Sequence, residues 1–178
     1  MAPSLLSEWE SFYVITGSSG AALTGLMFVV VALAAERMSG RSNAEGMAGF
    51  STPTVIHFGM VLLVASIMTM PRHGLASLRI SLAACAIAGL GSTHVFGVAR
   101  MRKVTAYVPV TEDWLWYAIL PCVAYVALLA GAVVLGMAQD FALYVVSAVV
   151  LALLYIGIHN AWDAAMYVAV YTHPDGEG

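Results

Sequence analysis

From Phe141 to Thr172 the chain carries a single formal charge, Asp163. A stretch so long and so apolar suits the hydrocarbon of a bilayer, where a helix pairs its own backbone groups. The rest of the chain is of the same kind. Of its 178 residues, 61% are hydrophobic and only 10% are charged. Ordinary soluble domains carry about 25% charged residues. Too few polar side chains remain to cover a water-facing surface. The sequence therefore predicts one all-α integral membrane domain in contact with the lipid bilayer, without a separate soluble domain.

The net charge of -3 and the lack of a basic patch give no sign of a nucleic-acid partner. Cys85 and Cys122 both lie inside apolar runs, so no disulfide framework is indicated, and no CxxC motif is present. Glu8 and Glu10 stand where a secretory leader would be basic, and the apolar run after them is too long for a leader core. A retained first helix is expected.

Breaks between the apolar runs predict five spans, at about 11–35, 54–70, 75–99, 114–138 and 141–163. The last is free to continue to Tyr171, and residues 172–178 read as a flexible tail. Ser51-Thr52-Pro53 is a helix-start signal, hydroxyl caps before a proline whose missing N–H costs nothing in a first turn. Pro71 ends that helix, and Pro71-Arg72-His73-Gly74 makes a tight turn. Arg79 lies close enough to a helix start to snorkel. Pro121 is expected to kink the fourth helix, and Gln139-Asp140 to form a hinge before the fifth. Gly17, Ala21 and Gly25 fall at steps of four and offer a small-residue stripe for helix association. That stripe, on a thin five-helix bundle, predicts a homo-oligomer.

Five spans put the termini on opposite sides. Arg37, Arg41, Arg100, Arg102 and Lys103 fall on one side, and Arg72 and Arg79 on the other. Basic residues collect in the cytoplasm, so the N-terminus is expected outside and the C-terminus inside, in a cell membrane of bacterial inner-membrane type. Trp9, Phe12 and Tyr13 at one end fit an interfacial aromatic belt, as do Trp114, Trp116, Tyr117 and Trp162 at the other.

This topology gathers the polar residues at one end. His57 lies ~6 Å into its span and His94 ~9 Å into its own, both from the cytoplasmic side. His159 stands just before Trp162 on that side, Glu36 ends the first helix there, and Glu112 and Asp113 begin the fourth. His159 and Asp163 share a helix face at i, i+4, as do Asn160 and Asp163 at i, i+3. An ionisable group at such a depth costs on the order of 3 kcal/mol without a partner and marks a functional site. Three imidazoles and a carboxylate match what a divalent zinc, iron or copper ion binds: neutral nitrogen donors and a hard anion. His57, His94, His159 and Asp163 are thus candidate ligands. Asn160 is the candidate orienting partner, and Glu36, Glu112 and Asp113 form an acidic mouth. Permeation or transport of an ion or small solute is the expected function.

The His159-x-x-x-Asp163 step resembles the transport site of cation-diffusion-facilitator zinc exporters, which implies a zinc-transport role for those two residues. The resemblance covers these positions alone. The six spans, second acidic step and soluble domain typical of that family have no counterpart here.

The same residues admit other uses. Histidines titrate near neutral pH and can relay protons. Two of them on different helices can hold haem b in an oxidoreductase, with Gly91 and Gly97 leaving room beside His94. A metal-dependent hydrolase would use the same ligands. In a non-catalytic assembly or helper protein they would be hydrogen-bonding struts. Whether the chain is an enzyme stays open at this point.

Overall fold

The computed structural model describes residues 5–37, 41–72, 74–98 and 111–171. After a helical turn at Leu5–Glu8 come five helices: α1 Glu10–Arg37, α2 Arg41–Thr69, α3 Leu75–Ser92, α4 Leu120–Val134 and α5 Gln139–Tyr171. Two π-helical turns extend them. Thr93–Val98 continues α3, and Leu115–Ile119, preceded by Thr111–Trp114, leads into α4. No strand forms among the described residues. Five segments are long and apolar enough to cross a membrane: Glu10–Ala34, Thr52–Thr69, Leu75–Phe96, Thr111–Val134 and Gln139–Met166. Their outer faces carry bare apolar side chains such as Ile80, Ile15 and Phe28. Faces of this kind suit lipid and not water. The expected all-helical architecture, with five helices long and apolar enough to span a membrane, is therefore present among the described residues.

Successive helices run antiparallel. Gly17 of α1 faces Ala65 of α2, and Gly20 faces Phe58 and Val61, nearer the start of α2. Likewise Arg79 of α3 meets Ala132 and Val133 of α4, while Gly89 meets Tyr125. Gly131 of α4 packs on Val145 and Val146 of α5. Trp9, just ahead of α1, packs edge-on against Tyr144 of α5. Phe58 lies against both Gly20 and Gly157, so α1, α2 and α5 meet at one level. The core between the helices is apolar, with Leu82, Leu128, Val146, Val150 and Leu153 fully buried.

Glycines set how closely these helices approach. A Cβ at Gly17 would stand 2.8 Å from the Ala65 methyl, and one at Gly20 2.9 Å from the Phe58 carbonyl. Ala21 and Gly25, expected to belong to the same stripe, face outward instead. The reason is drift: each step of four turns the position by about 40° around the helix, so the stripe leaves the contact face.

Helix limits differ from expectation at the prolines. α2 begins at Arg41 and carries Pro53 inside it. Pro121 follows the π-helical turn Leu115–Ile119, in which the Leu120 N–H bonds the Leu115 carbonyl. The wide turn thus comes directly before the residue that has no N–H to give. Gln139 and Asp140 open α5 instead of forming a hinge. Arg79 donates to the carbonyls of Ala132 and Val133 at 3.1 and 3.3 Å, which satisfies the open end of α4. His73, Arg100, Arg102, Lys103 and residues 172–178 lie outside the described residues, as does the side chain of Glu36.

Gly157→Ala would press a methyl into the Phe58 ring. We expect it to lower the thermal midpoint in detergent, at about 1–3 kcal/mol. Gly25→Ala, which meets open space, should leave the midpoint unchanged or slightly raised.

Candidate functional site

Apart from the tyrosines, six polar side chains are buried among the described residues: Thr16, Thr54, His57, Thr93, Ser147 and Asn160. None carries a fixed charge. Thr16, Thr93 and Ser147 donate to carbonyls of their own helices, at Phe12, Gly89 and Tyr144. A hydroxyl is settled in a helix by such a bond. Thr54 is partnered as well. His57 and Asn160 remain.

His57, on α2, is 1% exposed. Its Nδ1 lies 2.9 Å from the hydroxyl of Tyr125, so one hydrogen bond bridges α2 and α4. The Tyr125 ring rests on Gly89 of α3, which has no side chain to push it away. The far nitrogen of His57, Nε2, has no partner. Asn160, on α5, is 0% exposed, and neither its amide oxygen nor its amide nitrogen has a partner.

Helix geometry places these groups together. Residues advance by about 100° around a helix. With Gly157 taken as zero, His159 lies at about 200° and Asn160 at about 300°. Gly157 faces Phe58 of α2, and His159 faces Trp116 just before α4. Asn160 therefore projects between α2 and α4, toward the seam that the His57–Tyr125 bond spans. Depth agrees. Phe58 lies level with Gly157, so His57 and Asn160 fall within about one helical turn of each other along the bundle.

The rim of this seam is aromatic and ionisable. His159 stacks on Trp116 with ring centroids 3.7 Å apart and planes 9° from parallel. Its Nδ1 is 3.4 Å from the Asp163 carboxylate, as the i, i+4 spacing anticipates. Trp116 belongs to the π-helical turn before α4, and that turn packs against the one that ends α3. Such turns recur at functional sites.

The candidate ligands are thus only partly assembled. His159 and Asp163 meet, while His57 turns to Tyr125. His94 points outward. The buried face of α3 runs through Leu82, Cys85, Gly89 and Thr93, and His94 is one step past it. Glu112 is exposed and Asp113 partly buried at the start of the fourth span, at the same end of the bundle. Among the described residues no group of three or more His, Cys, Asp or Glu is close enough to hold a metal ion. Spacing alone singles out neither Tyr125 nor the stacking of Trp116 on His159. A tyrosine in an apolar run was the available signal, because a buried phenol needs a partner for its hydroxyl.

Fold and site together define a membrane-type helical bundle with a polar seam near one end. No protein-family model, curated protein or solved structure matches the chain.

Tyr125→Phe would strand the His57 ring. It should cost about 1 kcal/mol, measured as a lower thermal midpoint. Adding His57→Leu removes the stranded group, and the double variant should recover part of that loss.

Proposed function

We propose that this protein is a small permeation or transport protein of the cell membrane, and that its solute is held in the seam between α2, α4 and α5. One observation carries the proposal. Among the described residues, His57 Nε2 and both polar atoms of the Asn160 amide are buried without a hydrogen-bond partner and fall within about one helical turn of each other along the bundle, whereas the Tyr13 hydroxyl, also without such a partner, stands toward the opposite end, near the start of α1. Groups left so in an apolar interior cost on the order of 1–3 kcal/mol each, a penalty that a permeating solute offsets.

The seam lies toward the end where α2 begins and α5 finishes. With five of the seven Lys and Arg residues grouped beyond that end, it would face the cytoplasm, with the N-terminus outside. Glu112 and Asp113 stand at the same end, at the start of the fourth span. The outward imidazole of His94 is a polar group on a lipid-type face. A second copy of the chain would cover it, which supports a homo-oligomer.

The test is flux into vesicles containing the purified protein, with protons, zinc and urea as separate probes. At least one should cross faster than in empty vesicles, and His57→Leu should return it to the empty-vesicle rate. Equal rates for every probe would contradict permeation.

A metal-binding role is a second possibility, favoured by the 3.4 Å approach of His159 to Asp163. Two ligands make half a site, and a second copy would supply the rest. Zinc should then raise the thermal midpoint of the native protein and not that of a His159→Gln, Asp163→Asn variant.

A further inference from the structure

The chemistry of the seam specifies its occupant more narrowly. We infer that it takes a small, uncharged molecule that both donates and accepts hydrogen bonds: water itself, or a solute of urea or glycerol type. This rests on the seam being the permeation site, and it names the substrate class.

The donor and acceptor pattern comes first. The Asn160 amide offers one accepting oxygen and two donating N–H groups. His57 Nε2 donates or accepts according to tautomer, because Tyr125 can play either part toward Nδ1. An occupant meeting all of these must carry both kinds of group. Water does, and so do amides and alcohols.

Charge comes next. No Asp, Glu, Lys or Arg is buried among the described residues. An ion at the level of His57 and Asn160 would find no countercharge, and dehydrating it there would be uncompensated. The carboxylate of Asp163 is about half exposed, at the rim, and is engaged with His159. A neutral molecule carries no such penalty.

Size is bounded by the walls. Phe58 is pressed against Gly157, and Tyr125 against Gly89. Both aromatic rings border the seam, and neither has slack toward the glycine behind it. A compact occupant fits between such walls, and a bulky one would have to displace an aromatic ring. Buried polar groups of this kind commonly hold ordered water with two to four hydrogen bonds.

Two measurements test the inference. In protein-containing vesicles, stopped-flow light scattering should show water or urea permeability several-fold above empty vesicles, while proton and zinc entry stay at the empty-vesicle rate. Water and urea arms separate the two sources of the same chemistry. Asn160→Leu should abolish the increase, and Asn160→Ala should do the same if the leucine variant does not fold. Entry of protons or zinc without a neutral probe would overturn the inference and leave permeation standing. If no probe crosses, permeation fails, and the second measurement decides the site. That measurement is the thermal midpoint in detergent. An occupied amide makes Asn160→Leu destabilising, with a fall of about 3 °C or more. A rise would show that the amide was simply an unsatisfied group in a dry core, and would overturn the inference.

Discussion

Within an apolar bundle every polar group must be satisfied by another part of the protein or by something that enters it, and the organisation of this chain follows from that constraint. Its helices satisfy their own backbones. Where an end is left open, as at the close of α4, Arg79 reaches across from α3 to supply the donors. Just ahead of Pro121 the backbone widens into a π-helical turn, with the Leu120 N–H on the Leu115 carbonyl. The buried hydroxyls of Thr16, Thr93 and Ser147 return to carbonyls of their own helices. Against that background, His57 Nε2 and the Asn160 amide, like the Tyr13 hydroxyl nearer the other end, are buried without a hydrogen-bond partner.

The seam depends on two kinds of residue acting together. Glycines at 20, 89 and 157 let aromatic side chains and neighbouring helices come close, and Phe58 and Tyr125 occupy the room thus left. Tyr125 is consequently fixed from behind and presents its hydroxyl to His57. At the rim, stacking of His159 on Trp116 ties α5 to the start of the fourth span. Few of these contacts involve a formal charge, so the arrangement should be insensitive to ionic strength.

Much of the fold was legible in the sequence, because span length and the scarcity of charge are one-dimensional properties. Helix 3 and the start of α5 fell within a few residues of expectation. Pro53 misled because a proline at a helix start and one tolerated inside a helix look alike in sequence. The candidate site was legible only in part. The i, i+4 step of His159 and Asp163 is local and survived. Convergence of His57, His94 and His159 required knowing which way each helix is turned, and a single step of about 100° sends His94 outward beside the buried Thr93. The partners that the histidines do have, Tyr125 and Trp116, are long-range in sequence and invisible to spacing rules.

The central claim is that Asn160 and His57 hold a small neutral molecule between α2, α4 and α5. An experimental density map of the protein in a lipid nanodisc, at a resolution that shows ordered water, tests it most directly. The account predicts a discrete feature within about 3 Å of the Asn160 amide and within reach of His57 Nε2. An Asn160 side chain bonded to another protein group, with continuous apolar packing in the seam, would contradict it.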